Sequence, residues 1–220
     1  MVRANLSKYC RIIKPADEKE RQFYRSLGIG ASEAPAIIGI HPFSTAADIY
    51  NDKVNGAGKA STIAMQLGNL LEKPFADFVR KTHFPTAKMQ NGKSIYYSLD
   101  NPHCFATPDR FIMSGGEIIL LEIKTTAYWS KAKKAAAEAQ LQYQIQVCKS
   151  PKIKRGFIAT LIGGTSYEIQ EYQRDNCYGE FLMEKTEEFW QNHIERQTPP
   201  EAAPQAKPSP TALPQRFGTI

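Results

Sequence analysis

The stretch Gly116-Glu117-Ile118-Ile119-Leu120-Leu121-Glu122-Ile123-Lys124-Thr125-Thr126 decides how this chain folds. Residues 117–126 read as a β-strand that follows a turn ending at Gly116. Apolar side chains fill both parities, which predicts a strand buried on both faces, deep in a sheet. Yet Glu122 and Lys124 sit near its end, and strand alternation places Ile118, Leu120, Glu122 and Lys124 on one face. A carboxylate and an ammonium on the buried face of a central strand are expensive unless something uses them. Thirteen positions before Glu122 lies Asp109, in the turn-like run Thr107-Pro108-Asp109-Arg110. An acid in a turn, followed by Glu-x-Lys at a strand end, can converge on a divalent metal.

Working outward, residues 61–82 form the longest expected helix, with Ala64, Leu67, Leu71, Phe75, Phe78 and Val79 at three- and four-residue steps. Glu72 lies beside that stripe, between Gly68 and Ala76; small neighbours leave room for a ligand or permit close helix packing. After the strand, residues 131–147 read as a helix with Gln140 and Gln144 on one face and Gln142 turned away. Lys131, Lys133 and Lys134 open this helix, where positive charge opposes the macrodipole. A DNA phosphate would relieve that conflict; solvated lysines at a small cost are the other reading.

Toward the N-terminus, residues 1–15 read as irregular and basic, and 16–27 as a short helix. Ser32 reads as the N-cap of a helix through Ile38, with Pro35 in its first turn and Gly39 as its stop. A further helix is expected at 45–54. Strands are expected at 94–98, 103–107, 152–162 and 166–172, the last two as a hairpin around Gly163-Gly164. Residues 175–197 read as an amphipathic helix with Tyr178, Phe181, Leu182, Phe189 and Ile194 as core. This order predicts an α/β fold, a central mixed β-sheet flanked by helices, as a single domain over 1–197. Residues 198–220 carry six prolines and few large apolar side chains, which predicts a flexible tail.

Length and composition fit this reading. The 220 residues, 42% hydrophobic and 23% charged, suit one globular core. The net charge of +6 permits a polyanionic partner without requiring one. Cys10, Cys104, Cys148 and Cys177 form no CxxC pair, so zinc and iron–sulfur sites are not suggested and free thiols are expected. No apolar run approaches a membrane span. His41, His83, His103 and His193 lack ligand spacing, and Trp129 and Trp190 read as core or interface.

Glu72, Asp109 and Glu122 are therefore the candidate oxygen ligands for Mg²⁺, with Mn²⁺ as a substitute. One or two ions held there leave positions for a phosphate oxygen and a water. The backbone carbonyl of Ile123 is a further candidate ligand. Lys124 shares Glu122's face, where nearby metal ions and a dry site disfavour its ammonium, as a residue that activates water requires.

Five segments together carry a resemblance. Pro108-Asp109 with Glu122-Ile123-Lys124 resembles the signature of the PD-(D/E)xK nuclease superfamily, with its restriction-endonuclease-like core. Residues 25–33, 67–72, 106–109, 121–124 and 139–143 resemble, in order, motifs of its lambda-type alkaline exonuclease and YqaJ-like branch. Arg110 departs from the glycine common after Pro-Asp in that branch. The resemblance implies that Asp109, Glu122 and Ile123 ligate metal, that Glu72 acts at the metal or water, and that Lys124 activates water with support from Gln140. It implies that Arg25 and Ser32 bind the 5′-phosphate. It further implies a 5′-to-3′ exonuclease on double-stranded DNA ends, releasing mononucleotides and leaving 3′ overhangs for recombination. A ring-shaped homotrimer, a single-strand annealing partner and the cytoplasm of a phage's bacterial host complete that expectation. The alternatives are a restriction-like endonuclease on the same core and a non-catalytic DNA-end binding protein.

Overall fold

A strand that is apolar on both faces needs cover on both, and the chain supplies it from its neighbours in sequence. The computed structural model describes residues 6–56 and 62–201. Its elements are β1 (Cys10–Ile13), α1 (Glu18–Ser26), β2 (Ile29–Gly30), α2 (Ala34–Ile37), α3 (Ala46–Asn55), α4 (Ile63–His83), β3 (Lys88–Asn91) and β4 (Ile95–Ser98). There follow β5 (Cys104–Ala106), β6 (Arg110–Ser114), β7 (Glu117–Thr126), α5 (Lys131–Cys148), β8 (Arg155–Ile162), β9 (Ser166–Gln173) and α6 (Asn176–Phe189).

β7 is the middle strand of a five-stranded mixed sheet ordered β3-β6-β7-β8-β9. It pairs antiparallel with β6 through the Gly115-Gly116 turn and parallel with β8 across the α5 crossover. Both glycines have positive φ, 56° and 84°, as a tight hairpin requires. Ile118 and Leu120 pack with Leu141, Ile145 and Ile158 in the core that α5 covers. Ile119, Leu121 and Ile123 pack with Phe75, Ala76 and Val79 of α4 on the opposite face. The double burial expected of β7 is thus met by two helices, and each alternate residue meets a different one. A second sheet, ordered β1-β4-β5-β2, lies beyond and places β2 parallel to β5.

Local chemistry explains where the helices start. Thr62 and Ser130 each accept from a backbone N–H three residues on, and Thr45 forms a reciprocal capping box with Asp48.

Several boundaries differ from expectation. Residues 10–13 are a strand, not irregular; β1, β2 and β3 are too short, or too polar, to show period-two alternation. β6 was hidden because its first residue, Arg110, reads as the end of a turn, yet Arg110, Phe111 and Ile112 are buried. β8 begins at Arg155 rather than at 152, and α6 gives way at Trp190 to a π-turn. Ser32 does not cap a helix: α2 spans only Ala34–Ile37, and its N-cap Glu33 makes no side-chain capping bond, its carboxylate instead accepting from the Gly30 N–H and pairing with Lys53. The apolar stripe of α4 is buried only from Phe75 onward; Leu67 is 50% exposed and Phe78 44%. Ala64, Met65 and Gly68 of the first half of α4 line a cleft instead. Phe181, expected in the core, is exposed, whereas Leu182 and Phe189 are buried. The tail beyond Glu201 lies outside the described residues.

Candidate active site

The end of β7 opens into a cleft of about 670 Å³, floored by Asp109, Glu122, Ile123 and Lys124, with Glu72 of α4 and Gln140 of α5 on its walls. Asp109 reaches the strand because the turn that carries it is clamped on two sides. Its Oδ2 accepts from the Ile123 N–H at 2.7 Å, and its carbonyl accepts from Gly92 N–H at 3.0 Å. A Cβ on Gly92 would lie 1.7 Å from the Pro108 carbonyl oxygen, so only glycine allows that approach.

Glu122 is 3% exposed and fully engaged. Its Oε1 accepts from Lys124 Nζ at 2.8 Å and Gln140 Nε2 at 2.6 Å, and its Oε2 from Gln144 Nε2 at 2.8 Å. Lys124 Nζ also donates to Gln140 Oε1 at 2.8 Å. Gln140 therefore braces both the acid and the amine. Gln144 is 1% exposed, one helical turn from Gln140, and was not assigned a part from sequence although its spacing pointed here. Gln142 faces away, binding the Gln173 carbonyl and the Asp175 N–H.

Burial, followed by the charge of Glu122, holds the Asp109 carboxyl well above the ordinary carboxylate range; Lys124 and the Ile123 N–H only partly offset this. For Lys124 burial pulls the amine down, but Glu122 and Asp109 together pull it up, and the net shift is upward. Two neighbouring carboxylates thus outweigh burial, and Lys124 is their countercharge. Glu72 is tied by Arg110, whose Nη1 donates at 2.6 Å to Glu72 Oε1 and at 2.6 Å to the Asp109 carbonyl. The residue that departs from the family's usual glycine thus joins the acid of α4 to the turn of Asp109.

Among the described residues no three His, Cys, Asp or Glu side chains are grouped to hold a metal ion as they stand. The donor set nevertheless suits a hard cation. Asp109 and Glu122 are close enough to raise Asp109's proton affinity, both offer oxygen, and the cleft leaves room for waters.

The other expected residues are placed unevenly. Ser32 and Lys133 line the cleft. Arg25 does not; its guanidinium lies 3.5 Å from Thr107 Oγ1 and over the Phe105 ring, behind the Asp109 turn. Lys131 is exposed. Lys134 pairs with Glu168 at 2.7 Å, so a carboxylate of the protein already offsets the charge assigned to a DNA phosphate. His41, given no part from sequence, lines the cleft beside Phe43.

Residues 22–151, more than half of the chain, match the YqaJ-like viral recombinase domain. The chain belongs to that family. The chain is also similar to the uncharacterized protein YqaJ of Bacillus subtilis (strain 168), 26% identical over 200 residues. That match covers 86% of this chain but 61% of the relative, so the chain spans under two thirds of the relative's length. The fold resembles LHK-Exo, an alkaline exonuclease from Laribacter hongkongensis, with a TM-score of 0.60, 16% identity, and 82% and 94% of the two chains covered. LHK-Exo has also been solved in complex with dAMP. A phage related exonuclease from Haemophilus somnus 129PT superposes with a TM-score of 0.57 at 14% identity, covering 78% and 96%. The architecture is thus the restriction-endonuclease-like α/β fold of these phage-type exonucleases, with a mixed central sheet flanked by helices. No helix among the described residues is long and apolar enough to cross a membrane.

Proposed function

We propose that this chain is a Mg²⁺-dependent exonuclease acting on the ends of double-stranded DNA. One observation carries the reading: Asp109 is bonded to the backbone beside Glu122, and Lys124 is hydrogen-bonded to Glu122 in the same cleft. A buried carboxylate that raises the proton affinity of the half-buried acid beside it is a poor structural device and a good cation seat. Asp109, Glu122 and the Ile123 carbonyl would hold Mg²⁺, with Mn²⁺ as substitute, and Glu72 at its edge. When bound, the ion would supply Lewis-acid polarisation of a phosphate oxygen and offset the two carboxylate charges.

The chain's own residues do the rest. Lys124 orients the attacking water and exchanges a proton at Nζ, steered by Gln140. Gln144 holds Glu122 Oε2 so that the carboxylate keeps one orientation. Ser32, at the cleft wall, and Arg25, if its guanidinium swings past Thr107, would receive the 5′-phosphate. Lys131 and Lys133 would meet the backbone further along, while Lys134 would first have to leave Glu168.

The reading extends, by the motif resemblance alone, to 5′-to-3′ polarity, release of 5′-mononucleotides, 3′ overhangs for annealing, a single-strand annealing partner, a homotrimeric ring and a phage protein's place in the host cytoplasm. End-labelled linear duplex, with and without a 5′-phosphate, tests the reading in Mg²⁺ and in EDTA. Stepwise loss of the 5′-labelled strand in Mg²⁺ only is expected. Efficient cutting of a closed circle would instead favour an endonuclease, and end binding without hydrolysis a non-catalytic protein.

A further inference from the structure

The mouth of the cleft carries a cluster that the metal chemistry does not use. Lys133 places its ammonium 3.6 Å from the Tyr128 ring centroid and 5.3 Å from that of Phe43. The amine is pinned, donating to Thr126 Oγ1 at 2.7 Å and to the Tyr128 carbonyl at 3.0 Å. An ammonium has three protons, so these bonds leave one for an anion. The rings belong to two separate loops, one before α3 and one between β7 and α5, and this lysine bridges them. Phe43 is 64% exposed and Tyr128 60%. Phe43 and Lys133 line the same cleft as Asp109 and Glu122, and Thr126, Ala127 and Trp129 continue its wall around Tyr128.

Single exposed aromatics are ordinary on a protein surface. Two of them flanking a fixed cation, at the rim of an acidic cleft, are a different arrangement. Exposed ring faces suit a flat π-system, and the ammonium suits the phosphate attached to it. A nucleotide unpaired from its complement offers both, and base–aromatic stacking is tolerant of sequence. Inside a duplex the neighbouring bases cover both faces of a base, so the cluster is open only to a base at a strand end.

We propose that Phe43, Tyr128 and Lys133 form a stacking platform for the base of an unpaired nucleotide at the 5′ end of the strand being digested. The proposal rests on the nuclease reading and adds to it: the enzyme reads a frayed terminal nucleotide by its base as well as its phosphate. Lys133 is then both the spacer that sets the rings and the contact for the adjoining phosphate.

The test compares 5′-phosphorylated duplexes that carry a normal nucleotide or an abasic analogue at the first or second position. Stacking on an aromatic side chain changes affinity by about fivefold to a hundredfold per base. The full-length parent is expected to lose that factor at one of the two positions, mainly in KM. Phe43→Ala with Tyr128→Ala should reduce the penalty to less than about twofold, while Tyr128→Phe should retain it. An undiminished penalty in the double variant, or no penalty in the parent, overturns the platform. Anisotropy of a labelled 5′-phosphorylated pentanucleotide and its abasic counterpart, in EDTA, makes the same comparison without cleavage. A base-dependent affinity there in a protein that hydrolyses no DNA would keep the platform and defeat the nuclease reading. Cleavage indifferent to the base would do the reverse.

Discussion

Removing either partner of the Arg110–Glu72 pair should reveal how strongly α4 is tethered to the cleft. The two sides are unequal: the Arg110 side chain is 8% exposed, while that of Glu72 keeps 34%. Breaking a fully buried pair costs about 3–5 kcal/mol, whereas an exposed pair contributes at most about 1 kcal/mol. Glu72 is a third open to water, so its charge is partly screened, and the coupling should fall at about 1–2.5 kcal/mol. The single variants should differ in a definite order. Glu72→Ala strands a buried guanidinium without its countercharge and should cost about 2–4 kcal/mol. Arg110→Met keeps the apolar stem and leaves a carboxylate that can rehydrate, so about 1–3 kcal/mol is expected, part of it from the lost bond to the Asp109 carbonyl. Urea unfolding of the parent, both single variants and the double variant gives the coupling directly. EDTA throughout keeps metal binding out of the measurement. A coupling below about 0.5 kcal/mol, or Arg110→Met proving the costlier change, would refute the reasoning.

Other outcomes follow from the same geometry. Asp109→Asn should abolish hydrolysis yet raise stability in EDTA. The raised Asp109 carboxyl contributes most to stability below the ordinary carboxyl range and loses that contribution as pH rises through its native value, so the variant's stability should decline less with pH in unfolding curves. Gly92→Ala should cost about 1–3 kcal/mol of stability, because the new methyl meets the Pro108 carbonyl, and cleavage should fall with it as the Asp109 turn shifts. Gln144→Leu should lower the cleavage rate by about 10–100-fold while leaving DNA-end affinity within about twofold, since Glu122 loses its orienting donor. A thiol reagent at pH 8 should label Cys177, which is exposed, well before the other three, which are buried; burial pushes the Cys104 thiol up to about 11. Rapid labelling of Cys104 in the native protein would contradict that packing.

The amino-acid sequence by itself determined β7, its two buried faces, the side of that strand carrying Glu122 and Lys124, and the three acids worth watching. Those are local quantities: a period of two, an apolar run, a charge that does not belong in it. It also determined the helices with strong caps and the hairpin of β8 and β9, for the same reason. What Arg110 does was not local. Read along the chain it ends a turn; in space it opens β6 and bonds Glu72, 38 residues away. Likewise Gln144 and Phe43 acquire meaning only from what faces them, a carboxylate 22 residues distant and a lysine on α5. The first half of α4 carries a core-like stripe, yet Ala64, Met65 and Gly68 line the cleft and Leu67 is exposed, because what covers a helix face is set by its tertiary neighbours and not by its own periodicity. Tertiary structure also decided the direction in which the Lys124 amine is shifted: burial pulls it down, and only the placement of two carboxylates beside it reverses the sign.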